Sequence, residues 1–261
     1  MDLSLTGKHA LVGGASRGIG RAAAIELAAN GAQLTLIARD EAALREVLGL
    51  LDTRHGQSHQ YVVGDSGQPV QLAEAVGRIA AQSAVNILVN NTGGPPDGPA
   101  QAASLDAYLD AFTQHVLCNQ ALLQAVLPGM RSSGFGRIIN VISTSVKQPI
   151  PGLGVSNTIR GAVANWAKTL ASELGPEGIT VNNVLPGFTE TDRLDALIHS
   201  KAKRAGSTLE EIFQELRNSV PLRRFGRAEE TAAAIAFLAS PSAAYINGIN
   251  LPVDGGRTTC L

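Results

Sequence analysis

Cysteine is almost missing from this chain: there are two in 261 residues, Cys118 and Cys260. They allow at most one disulfide, and neither has a second cysteine or a histidine at metal-ligand spacing, so two free thiols and no metal are expected. Charge is equally sparse. Charged residues make up 16% of the chain, the formal net charge is −1, and no basic run could neutralise a row of phosphates. A nucleic-acid partner is therefore not expected. No apolar run approaches the length of a membrane span, and the opening MDLSLTGKHALVGGAS has no basic cluster ahead of its short, glycine-broken apolar stretch. The chain reads as soluble and cytoplasmic, with no membrane contact. Linkers are lacking too, so residues 1–261 are expected to fold as one domain around one large core.

What the chain does contain is a regular alternation of short apolar runs and longer amphipathic ones. HALVG (9–13), QLTLIA (33–38), QYVVG (60–64), NILVN (86–90), RIINVI (137–142), ITVNNVL (179–185) and NGINLPV (247–253) predict seven buried strands. Helical periods fill the intervals at 18–30, 41–51, 70–82, 102–126, 156–174 and 228–239. Strands that are apolar throughout need cover on both faces, and alternation with helices implies parallel order with right-handed crossovers. The expected fold is α/β, a doubly wound parallel seven-stranded sheet with helices on both faces.

The first strand runs into Gly13-Gly14-Ala15-Ser16-Arg17-Gly18-Ile19-Gly20 and then directly into a helix. Glycines at 14, 18 and 20 permit a sharp turn and close backbone approach, and the helix start offers free N–H groups to a pyrophosphate. Ser16, Arg17 and Ile19 complete this dinucleotide-binding turn. At the end of the second strand stands Arg39, where an acidic residue would favour NAD. With Arg17 it suits a 2′-phosphate, so NADP(H) is expected in preference to NAD. Asp40 beside it is expected to cap the next helix.

Gly64-Asp65-Ser66, Asn90-Asn91-Thr92-Gly93 and Leu185-Pro186-Gly187-Phe188-Thr189-Glu190-Thr191 follow the third, fourth and sixth strands, on the sheet edge where such folds bind ligands. With the glycine turn, Pro221–Gly226 and Val253–Gly256, they make the chain resemble the short-chain dehydrogenase/reductase family over nearly its whole length. The resemblance implies a Rossmann fold, with Asp65 and its neighbour Ser66 at the adenine. It places Asn91, Thr92 and Gly93 beside the adenosine ribose, and Pro186, Gly187, Thr189 and Thr191 near the nicotinamide carboxamide or pyrophosphate. It also implies a homotetramer joined partly through helices 102–126 and 156–174, and a mobile substrate lid at 190–220. Gly13 replaces the family's threonine, a change expected to soften the loop.

The catalytic positions depart further. The family's carbonyl-binding serine falls on Ser143, but its Tyr-x-x-x-Lys falls on Ser156-Asn157-Thr158-Ile159-Arg160, and none of Tyr61, Tyr108 and Tyr245 lies at the site. The family's asparagine, placed by its distance to Pro128 at the end of helix 102–126, falls on His115; Asn119 lies one turn later. A phenol with a pKa of about 10 can be pushed down to protonate a carbonyl oxygen. A serine holds its proton far more strongly, so it can donate a hydrogen bond to that oxygen but is a poor acid. Arg160 keeps the cation, able to fork onto the nicotinamide ribose or a substrate carboxylate, but it does not titrate. His115, titrating near 6.5 when unperturbed, is either a general acid/base or a structural residue beside Val116 and Leu117. Lys201, Lys203, Arg204 and Arg193 of the lid either attract an acidic substrate or form a solvated helix face.

Two readings follow. One is an oxidoreductase transferring hydride between NADP(H) and a small carbonyl or alcohol, with Ser143, Ser156 and Arg160 as an electrostatic cradle and His115 or water as proton source. The other is a dinucleotide-binding protein without turnover, acting as a sensor or partner subunit.

Overall fold

A computed structural model describes residues 1–260. Its strands are β1 (His9–Gly13), β2 (Gln33–Ala38), β3 (Gln60–Val63), β4 (Ile87–Asn90), β5 (Gly136–Val141), β6 (Ile179–Pro186) and β7 (Asn250–Val253). They form one parallel sheet in the order β3-β2-β1-β4-β5-β6-β7. The order reverses between β1 and β4, which opens a crevice at the carboxyl ends of the strands. The helices are α1 (Gly18–Ala29), α2 (Glu41–Leu48), α3 (Pro69–Gln82), α4 (Leu105–Phe112), α5 (Cys118–Ser133), α6 (Gly154–Leu174), α7 (Asp192–Ala205), α8 (Leu209–Asn218) and α9 (Ala228–Ala239). None is long and apolar enough to cross a membrane.

Both faces of β1, β2, β4, β5 and β6 are covered, which is why they read as apolar runs, whereas the edge strands β3 and β7, also expected to be buried, are only half-covered, with Gln60 and Val63 exposed. Ala10 and Val12 of β1 join Leu27 of α1, Val47 of α2 and Ile235 of α9 on one side. Leu11 points the other way, to Val76 of α3, Leu123 of α5 and Ala171 of α6. One polar row crosses this interior. Asn90, Asn140, Asn183 and Asn250 sit opposite one another on β4 to β7. Each Nδ2 donates to the next Oδ1 at 2.8 Å.

Two expectations change, both in one helix. The helix expected over 102–126 is divided into α4, a π-helical turn at Thr113–Leu117, and α5. It also continues past Pro128 to Ser133, where Gly134 ends it in the left-handed region at φ 58°. Pro128 and Gln124 are both exposed, so the carbonyl that the proline leaves without an N–H partner lies on the solvent side. The segment 190–220 forms the pair α7 and α8, with its own apolar cluster of Leu194, Ile198, Ala202, Ile212, Leu216 and Phe225. Lys201 of α7 also pairs with Glu215 of α8 at 3.5 Å.

Candidate active site

The carboxyl ends of β1 to β6 line a cavity of about 880 Å³. Its first wall is the turn between β1 and α1, where Gly14 and Gly18 adopt φ of 58° and 53°, a region that favours glycine. A Cβ at Gly13 would stand 2.8 Å from Asn91 O, one at Gly14 2.6 Å from Asn91 Nδ2, and one at Gly20 would run into Gly14 O. Asn91 Nδ2 donates to Gly13 O at 3.1 Å and to Gly14 O at 3.4 Å. The turn is thus braced by Asn91, and glycine at 13 lets the end of β4 come close; the softening expected there is offset. Gly14, Ser16, Arg17, Gly18 and Ile19 line the cavity, whereas Gly20 lies behind them and lets α1 close against the turn.

Arg39 at the end of β2 is exposed and also lines the cavity; Asp40 beside it caps α2, accepting from Ala43 N at 3.1 Å. Arg17 reaches Asp192 of α7 at 3.5 Å, with both side chains largely exposed. Asp65 and Ser66 line the same end, and Thr92, Gly93, Pro186, Gly187, Thr189 and Thr191 carry the wall onward. The crevice is continuous from Arg39 to Arg160.

At its far end stand Ser143, Ser156 and Arg160. Ser143 follows β5 in extended backbone, and its Oγ accepts from Ser145 N at 3.1 Å, which leaves its O–H free to donate. Ser156 is buried in the first turn of α6. That helix start is fixed by Asn157, which exchanges hydrogen bonds with the backbone of Ile150, and by Gly154, where a Cβ would strike the Ala100 backbone. Arg160, one turn later, is buried; its Nη1 donates to Val141 O at 2.9 Å, while its buried Nε finds no partner among the described residues. Burial, and then Arg193, push this guanidinium down to about 10, so it stays cationic at neutral pH.

His115 departs from expectation. Its Nδ1 lies 2.7 Å from Thr92 Oγ1, and burial followed by the charge of Arg160 pushes the imidazole down to about 2. It is therefore neutral near pH 7, not titrating there. The π-helical turn presents Gln114, Cys118 and Asn119 to the cavity, while His115 reaches it only through Thr92. Burial pushes the Cys118 thiol up to about 11, so it remains protonated.

The family described as enoyl-(acyl carrier protein) reductase matches residues 14–258. The chain belongs to the short-chain dehydrogenase/reductase family. It is 31% identical over 252 residues to the NADPH-dependent reductase BacG of Bacillus subtilis, covering 95% of this chain and 97% of that protein. It is 37% identical over 261 residues to the 3-oxoacyl-[acyl-carrier-protein] reductase FabG of Vibrio harveyi, covering 97% and 98%. Among solved structures it is similar to L-sorbose reductase from Gluconobacter frateurii complexed with NADPH and L-sorbose, with a TM-score of 0.92, 31% identity and full coverage of both chains. This short-chain dehydrogenase/reductase is thus an oxidoreductase by family. Sequence reasoning missed Arg257, which lines the cavity with its guanidinium 4.2 Å from the Phe188 ring centroid. No motif marks it; only the return of the chain after β7 brings it there.

Proposed function

We propose that this chain is an oxidoreductase that transfers hydride between NADP(H) and the carbonyl or alcohol carbon of a small molecule, at an atypical polar site. The observation that carries this reading is the single crevice joining the braced glycine turn and Arg39 to Ser143, Ser156 and Arg160. Gly14, Ser16, Gly18, Ile19 and Thr191 would hold the pyrophosphate, Arg17 and Arg39 the 2′-phosphate, and Asp65 and Ser66 the adenine end. Asn91, Thr92 and Gly93 fall beside the adenosine ribose, with Pro186, Gly187 and Thr189 towards the nicotinamide. The dinucleotide, when bound, supplies or accepts the hydride.

Ser143 and Ser156 offer hydrogen bonds to the substrate oxygen, and Arg160 sets a positive charge beside it, so a developing alkoxide is stabilised without a strong acid. Water supplies the proton in this reading, because His115 is neutral and Arg160 does not release one. His115 becomes a positioning residue for Thr92. The segment α7–α8 is the substrate lid, and the assembly is a cytoplasmic homotetramer. The second reading, a dinucleotide-binding sensor or partner subunit, draws on that same lack of a group titrating near neutrality.

Cofactor fluorescence titrations, then NADPH oxidation against aldehydes, ketones and oxo acids, separate them. NADPH is expected to bind about tenfold more tightly than NADH, the difference shrinking in Arg39→Ala. Turnover of one carbonyl class, lowered in Ser143→Ala and Ser156→Ala with binding intact, supports the enzyme. Binding without turnover favours the sensor, and no binding removes both.

A further inference from the structure

Deepening that reading and resting on it, we infer that the substrate held beside Ser143 and Ser156 is an anion, a small oxo acid whose carboxylate seats on Arg160. Arg160 is 7% exposed and forms no ion pair among the described residues. Its Nη1 is taken by Val141 O and its Nε is enclosed without a partner, which leaves Nη2 as the donor towards the cavity. A carboxylate oxygen on Nη2 would make a charge-assisted hydrogen bond and supply the missing counter-charge. A neutral diol would satisfy the hydrogen bonds but leave a buried charge without a counter-charge, which is strongly unfavourable.

The other charged groups at this end point the same way. Arg193 and Arg257 line it too. Arg193 is partly occupied by Asp97 and Pro95 O, both at 3.0 Å, and Arg257 lies against Phe188. Asp192 leans towards Arg17 at the opposite end. Asp40 and Asp65 line the cavity as well, and among the described residues no carboxylate pairs with Arg160. Arg160 also follows Ser156 by one helical turn, which sets their Cβ atoms about 5–6 Å apart. A carboxylate on the guanidinium therefore carries a carbonyl one or two carbons away towards the Ser156 hydroxyl, as in a 2-oxo or 3-oxo acid.

Calorimetric titration of the protein–NADPH complex with oxamate, and with its uncharged counterpart oxamide, tests this directly. Oxamate is expected to bind at least about tenfold more tightly than oxamide. Arg160→Met should lose about tenfold or more in oxamate affinity while its NADPH affinity, followed by fluorescence, stays within about twofold. Arg160→Lys keeps the charge on a shorter, rounder head group and should fall between. Equal binding of oxamate and oxamide by the wild-type complex overturns the inference without needing any variant. So does a Met variant that loses NADPH and keeps oxamate, since Arg160 would then serve the ribose. If wild-type protein fails to bind NADPH, the functional reading falls first and takes this inference with it.

Discussion

His115 has exchanged solvent for Thr92 Oγ1 and the nearby charge of Arg160, and its protonation follows from that exchange. The folded form holds the imidazole near 2 while an unfolded chain takes a proton near 6.5, so between these values unfolding binds a proton. Stability should therefore decline as pH falls below about 6.5, by up to about 1.4 kcal/mol per pH unit for each such histidine. His9, lowered by burial, acts in the same direction. Thermal unfolding midpoints are expected to drop from pH 7 to pH 5, and His115→Asn should flatten that drop; parallel curves would contradict it. By the same logic the rate profile of the wild type should show no limb near 6.5 from this residue, and an ionisation there that vanishes in His115→Asn would restore it as the acid. Ser143, Ser156 and Arg160 were marked by the family resemblance, and the end of β5 and the first turns of α6 bring all three to the cavity wall. The state of His115 was not, because burial and Arg160, far along the chain, decide it.

Among the elements, the turn between β1 and α1 is the least forgiving. Gly20→Ala drives a methyl group into Gly14 O and must displace the loop, so NADPH affinity is expected to fall about tenfold or more and the unfolding midpoint to drop with it. Gly77 in the middle of α3 supplies the contrast, because the place a methyl group would take there has no neighbour within 4 Å among the described residues. Gly77→Ala should stabilise by about 0.5–1 kcal/mol with cofactor binding unchanged, as denaturant titration would show. Apolar runs located all seven strands, most plainly the five inner ones whose two faces are both buried. Periodicity did not reveal the π-helical turn at Thr113–Leu117, since one inserted residue barely disturbs a helical pattern yet shifts which side chains meet the cavity. Nor did composition show that the charged segment 190–220 closes on Phe225 from outside its own span.

For the molecule as a whole, the outer face of α4 carries Leu105, Leu109 and Phe112 at 87%, 63% and 39% exposure, spaced so that they share one side of the helix. Such a stripe marks a contact surface, in accord with the proposed homotetramer. Light scattering should give four times the chain mass, and Leu109→Glu should shift it to smaller species; an unchanged mass would exclude this face. The asparagine row on β4 to β7 bears on the same scale in another way. Removing the Asn140 amide leaves two buried neighbours, Asn90 and Asn183, without their partner, whereas replacing the whole row by apolar residues leaves none. That single step is thus harsher than the complete change. The row thus resists piecemeal change: its four amides are tied to one another's presence rather than to their own positions.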